Sequence, residues 1–145
     1  MEGIPLILLV EDNPRDAELA MLALERSRVA NEVVLARDGA EALDILLGDS
    51  QRLPRYPRLV LLDLKLPKID GIEVLERIRS DERTAMLPIV VLTSSDEESD
   101  MKACYERHAN SYIRKSVDFT EFTAAVQQIG QYWLSLNIAP GAHRR

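Results

Sequence analysis

Short apolar runs alternate with longer amphipathic stretches along the chain. The runs are residues 5–10 (PLILLV), 32–37 (EVVLAR), 58–63 (RLVLLD), 88–93 (PIVVLT) and 111–114 (SYIR). Between them lie 14–29, 39–48, 71–80 and 97–108, and 118–136 comes after the last, each long enough for a helix. In the first of these, Ala17, Met21, Leu24 and Arg28 recur at helical spacing. Runs one, three and four are apolar almost throughout, as interior strands of a parallel sheet are when helices cover both faces, and each intervening helix supplies the crossover that parallel pairing needs. The pattern predicts an α/β fold, a doubly wound five-stranded parallel sheet of order 2-1-3-4-5 with five helices. One domain over residues 1–136 is expected, with a tail at 137–145. The polar segment 49–57, with two prolines, reads as a surface loop ahead of the third strand.

Three of these strands end in chemistry rather than in turn residues. The first runs into Glu11 and Asp12, the third into Asp63, and the fourth closes on Thr93, Ser94 and Ser95; Lys115 comes after the fifth. In a 2-1-3-4-5 sheet, strands one and three are neighbours, and ligands bind beyond their carboxyl ends where the strand order switches. Glu11, Asp12 and Asp63 should therefore converge. Carboxylates crowded into a partly desolvated pocket repel one another and call for a cation, and oxygen-only ligation with open positions suits Mg²⁺. Acids, a metal, a hydroxyl and an ammonium at one sheet edge suit a phosphoryl group: metal and Lys115 neutralise it, Thr93 donates to it, and Asp63 attacks phosphorus as the nucleophile. Taken alone, Glu11 and Asp12 could cap the helix that starts near Pro14, since Asn13 or Asp12 before Pro14 resembles an N-cap followed by proline at the first helical position, and Asp70-Gly71 reads as a turn or cap.

Composition narrows the setting. The 145 residues are 46% hydrophobic and 29% charged, the balance of a soluble globular domain, and no apolar run approaches the ~18 residues of a membrane span. Acids stand where a secretory leader would be basic, so a cytoplasmic protein is expected. Eighteen basic against 24 acidic residues give a net charge of −6, which argues against a generic nucleic-acid binder and for protein partners. The single cysteine, Cys104, and the distant His108 and His143 offer neither a disulfide nor a zinc site, and Cys104 and His108 read as structural.

Glu11-Asp12, Asp63-Leu-Lys-Leu-Pro67 with Asp70-Gly71, Thr93-Ser94 and Lys115, in this order and spacing across nearly the whole chain, resemble the receiver domain of two-component response regulators, with its flavodoxin-like fold. The resemblance implies that Asp63 is the phosphoacceptor, Asp12 a direct Mg²⁺ ligand and Glu11 an acid acting through metal-bound water. It implies a third protein ligand in the Lys65 backbone carbonyl, a switch hydroxyl in Thr93, a phosphate-pairing lysine in Lys115 and a switch aromatic in Tyr112. The phosphoryl donor would be a phosphohistidine on a sensor histidine kinase. The loop before the third strand, Lys115-Ser116 and QYWLSLNIAP near the C-terminus are similar to single-domain receivers that partner phytochrome histidine kinases. Two positions depart from the usual pattern. Ser116 replaces a proline commonly preceded by a cis peptide, so a trans bond or a reshaped loop is expected there. Lys65 stands where family members vary and tune dephosphorylation, and its side chain is expected over the site.

Two other readings are weighed. A small Mg²⁺-dependent aspartyl-phosphate phosphohydrolase also uses a strand-end Asp, but wants a second acid two residues on, where this chain has Lys65. A receiver-like scaffold that is never phosphorylated would not need the full set of site residues. At the C-terminal end Phe119, Phe122, Val126, Ile129, Trp133 and Leu136 recur at spacings of three and four. Phe122, Val126 and Ile129 suit packing on the sheet, whereas Tyr132, Leu134 and Ile138 widen the apolar surface beyond it. A homodimer through the fourth helix, fifth strand and fifth helix is therefore expected, with Phe119, Tyr132, Trp133 and Leu136 on its face.

Overall fold

The structure, a computed structural model, describes residues 3–49 and 52–140. The elements alternate as β1 (Leu6–Val10), α1 (Pro14–Glu25), β2 (Glu32–Ala36), α2 (Gly39–Leu47), β3 (Leu59–Leu62), α3 (Gly71–Ser80), β4 (Ile89–Thr93), α4 (Glu98–Glu106), β5 (Ser111–Arg114) and α5 (Phe119–Gln131), closed by a π-helical turn, Tyr132–Leu136. All strand pairs are parallel, and the sheet order is β2-β1-β3-β4-β5. The doubly wound sheet read from the apolar runs is thus present. The last five residues of the expected tail, 141–145, lie outside the described residues, as does part of the loop at 49–57.

Alternation along each central strand divides the interior into two cores. Leu8, Val10, Val60, Leu62 and Val91 face α2 and α3, with Val74, Leu75 and Ile78 behind them. Ile7, Leu9, Leu59, Leu61, Val90 and Leu92 face α1 and α5, meeting Leu24, Phe122, Val126 and Ile129. Each such fully buried aliphatic chain contributes roughly 1.5–3 kcal/mol relative to exposure. Both cores stop at the carboxyl ends of β1, β3 and β4, so the polar residues next in the chain are delivered to one edge on a stiff base.

The structure departs from the helical reading of residues 14–29 in two respects. The buried stripe of α1 is Ala17, Ala20, Ala23 and Leu24, with Met21 and Arg28 at the surface. Small residues on this face let α1 lie close to α5, and their weak apolar signal let Met21 dominate the periodicity. The helix also stops at Glu25, because the Asn31 side-chain amide donates to the carbonyls of Leu24 (2.9 Å) and Val29 (2.8 Å) and folds the chain back towards β2.

At the other end, the π-helical turn interrupts the expected seam. An added residue in the turn rotates the chain beyond it, so Leu134, expected at the surface, is 5% exposed and packs in the α1–α5 core, while Leu136 is 72% exposed. Trp133 is half-buried, with its ring 5.0 Å from that of Tyr132 in an edge-on arrangement. Phe122, Val126 and Ile129 pack on the sheet as the spacing predicts.

Candidate functional site

Backbone hydrogen bonds extend the sheet just past its strands and fix where the polar residues stand. Glu11 N donates to Ala36 O (2.9 Å), Asp63 N to Val10 O (3.1 Å) and Lys115 N to Thr93 O (2.7 Å). Asn13, not Asp12, caps α1: its side-chain oxygen accepts from Arg15 N (2.9 Å) and Asp16 N (3.1 Å). Asp12 is thereby free of capping and lies exposed at the mouth of the site. Asp70 caps α3 by accepting from Glu73 N at 2.9 Å.

Glu11, Asp12 and Asp63 converge as the strand order requires, each offering a carboxylate oxygen within 4.8 Å of the others. Glu11 and Asp63 are buried. Asp63 Oδ1 accepts from Leu64 N (2.7 Å), which fixes the carboxylate plane and leaves Oδ2 facing the pocket. Three anionic oxygens without a soft ligand match a hard divalent cation, so the donor set fits the metal the sequence implies. The Lys65 side chain is exposed and makes no ion pair among the described residues.

Lys115 follows the end of β5 and reaches the acids with its ammonium. Its ammonium lies 2.8 Å from Glu11 Oε1, 2.9 Å from Asp16 Oδ2 and 3.3 Å from Asp63 Oδ2. Burial pushes Glu11 up to about 7, against the Lys115 hydrogen bond and with the Asp63 charge. Burial alone would lower Lys115, but its hydrogen bonds to Glu11 and Asp16 and the charge of Asp63 outweigh it and hold the ammonium above the ordinary lysine range. One ammonium thus offsets part of a crowded negative charge.

Thr93 is fully buried, and its Oγ1 accepts from Ser95 N at 3.3 Å. Ser95 is a junction that the sequence did not reveal. Its hydroxyl donates to Asp100 Oδ2 (2.6 Å) in the first turn of α4 and accepts from Glu97 N (3.3 Å), and its carbonyl accepts from the Tyr112 hydroxyl (3.0 Å). Thr93, α4 and Tyr112 therefore meet at one buried residue. After Lys115, Ser116 donates to Glu121 Oε1 (2.8 Å) and accepts from Asp118 N (3.0 Å), while Asp118 caps α5. No cis peptide occurs among the described residues, in keeping with a serine at this position. Cys104 is buried and pushed up to about 11 by that burial, which keeps it an unreactive thiol, as its structural reading requires.

A doubly wound parallel domain carrying this acid, hydroxyl and lysine edge is a receiver, and the chain belongs to the response regulator receiver domain family, whose model matches residues 7–127. Among individual proteins, it is 41% identical over 138 residues to response regulator Rcp1 of Synechocystis sp., covering 94% of this chain and 93% of that protein. It is 44% identical over 136 residues to FilR2 of Methanothrix harundinacea, named a probable methanogenesis regulatory protein, covering 94% and 88%. The crystal structure of the phosphorylated cyanobacterial phytochrome response regulator RcpA superposes with a TM-score of 0.90 at 42% identity, covering 95% and 99%, and that of Rcp1 in its Mn²⁺-bound form with 0.88 at 40% identity, covering 94% and 99%. The family membership sets the receiver reading above the phosphohydrolase. No helix among the described residues is long and apolar enough to cross a membrane.

Proposed function

We propose that the protein is a phosphorylation switch in which Asp63 takes a phosphoryl group from a phosphohistidine of a sensor histidine kinase in the cytoplasm. The observation that carries this reading is the convergence of Glu11, Asp12 and Asp63 with the Lys115 ammonium at the carboxyl edge of the sheet. Asp63 Oδ2 forms the new P–O bond as the P–N bond breaks, and the imidazole leaves with its electron pair and takes up a proton from solvent. Asp12, Asp63, the Lys65 backbone carbonyl and, through water, Glu11 would hold Mg²⁺, which when bound neutralises charge on the phosphoryl oxygens. Lys115 pairs with one phosphoryl oxygen and Thr93 donates to another. The added charge of about −1.5 to −2 draws Thr93 towards Asp63, so Ser95, Tyr112 and the start of α4 feel the change.

Similarity to RcpA supports a phytochrome-type kinase as the donor. Lys65 in place of a second acid supports a site that keeps its phosphoryl group and releases it slowly, rather than one that turns over substrate. The test is incubation with a small phosphodonor and Mg²⁺. About one equivalent of acid-stable, hydroxylamine-labile label is expected; multiple turnover or no label at all would defeat the reading.

Output is expected through self-association. Phe119 at the start of α5 is 50% exposed, and Tyr132, Leu136 and Ile138 past its C-terminal end are 48%, 72% and 80% exposed, with Trp133 next to Tyr132. A homodimer through α4, β5 and α5 would cover them. Because Leu134 belongs to the core, truncating this segment would also damage the fold, and Leu136→Ser with Ile138→Ser is the cleaner probe. Sedimentation at micromolar concentration should show a dimer that tightens with a beryllofluoride phosphoryl mimic and weakens in the double variant. A monomer throughout would sink the interface.

A further inference from the structure

Lys115 has three carboxylates within reach, and one of them lies outside the acid cluster. Glu11 and Asp63 share the cluster with Asp12, whereas Asp16 stands on the first turn of α1, its side chain 25% exposed, 2.9 Å from Lys115 Nζ. A cation seated among Glu11, Asp12 and Asp63 competes with Lys115 for their charge. For Asp16 it does not compete. Among the described residues the Asp16 carboxylate has no other hydrogen bond or ion pair, and it is not needed as a cap, since Asn13 accepts from the Asp16 N–H. Its one polar partner is a lysine 99 residues away.

We propose that Asp16 is the resting partner of Lys115, a positioning residue that holds the ammonium between the acid pocket and α1 and must release it when a phosphoryl group arrives on Asp63. The inference rests on the reading of Asp63 as the phosphoacceptor. In the resting state Asp16 keeps Lys115 from binding wholly to Glu11 and Asp63, and so keeps those oxygens available. In the phosphorylated state it competes with the phosphoryl group for the same ammonium. Asp16 thereby sets how strongly the site holds a phosphoryl group, by acting through Lys115 rather than on phosphorus.

The test is the affinity of the whole protein for beryllofluoride at saturating Mg²⁺, measured by calorimetry for wild type, Asp16→Asn, Lys115→Ala and the double variant. Lys115→Gln substitutes if the alanine variant does not fold. Asp16→Asn should bind roughly two- to fivefold more tightly, the range a partly exposed ion pair supports, and this gain should disappear without Lys115. Unchanged or weaker binding by Asp16→Asn would overturn the proposal. So would a gain of equal size in both backgrounds, which charge repulsion alone would give and which needs no lysine. A wild type that binds no beryllofluoride would remove the phosphoacceptor reading and the proposal with it, and would be distinguished by failing before any variant is compared.

Discussion

Asp63→Asn is expected to lower phosphoryl label from about one equivalent to background, a loss of at least roughly 100-fold, because a carboxylamide offers no anionic oxygen to form the acyl phosphate. The same change should leave the fold intact. Asparagine keeps an Oδ1 acceptor for Leu64 N, the one backbone hydrogen bond of the Asp63 side chain among the described residues. It also relieves repulsion in a pocket where Glu11, Asp12, Asp16 and Asp63 place four carboxylates against the single ammonium of Lys115. Thermal stability without divalent ions should therefore equal or exceed that of wild type. Stabilisation by millimolar Mg²⁺ should diminish, since one anionic ligand of a hard cation is gone. Label retained at full stoichiometry would mean that another side chain is the acceptor.

The site was legible in the sequence where a residue contradicts its surroundings. Asp63 after Leu59–Leu62 and Glu11 after Leu6–Val10 are acids at the ends of strands too apolar to be anything but interior, and parallel pairing of β1 with β3 carries them to one place. Thr93 and Lys115 were legible by the same rule at β4 and β5. Asp16 was not, because its role depends on how α1 leans on the sheet and on a partner 99 residues away. The available signal was its place: with the start of α1 fixed by Asn13 and Pro14, Asp16 falls in the first helical turn, close to the chain that leaves β1 with Glu11 and Asp12. Ser95 was hidden differently. It reads as one hydroxyl in a Thr-Ser-Ser run, and only the path of the chain into α4 turns it towards Asp100 and Tyr112. The inner face of α1 and the π-helical turn were missed because alanine carries little apolar weight and because one extra residue in a turn leaves no mark in a spacing count.

Gly71→Ala is expected to damage fold and site together. A Cβ at Gly71 would collide with the Asp63 carbonyl oxygen and stand 2.5 Å from Leu64 Cα, both backbone atoms that cannot swing aside. Gly71 N meanwhile donates to Leu64 O at 2.8 Å, so the first turn of α3 and the chain leaving β3 are held against each other. The loop at 64–70 that begins at this contact carries Lys65 and closes on the Asp70 cap, which means that any displacement of α3 moves the Asp63 backbone as well. Overpacking of this kind costs about 1–3 kcal/mol and more where backbone must shift, and here the upper end, about 3 kcal/mol, is expected from urea unfolding at neutral pH. Divalent binding by the folded fraction should weaken at least severalfold, because the Asp63 carboxylate and the Lys65 carbonyl are repositioned together relative to Glu11 and Asp12. Stability within about 0.5 kcal/mol of wild type, the ordinary scatter of surface substitutions, would show that the loop yields without cost and that Gly71 is a helix-start residue and nothing more.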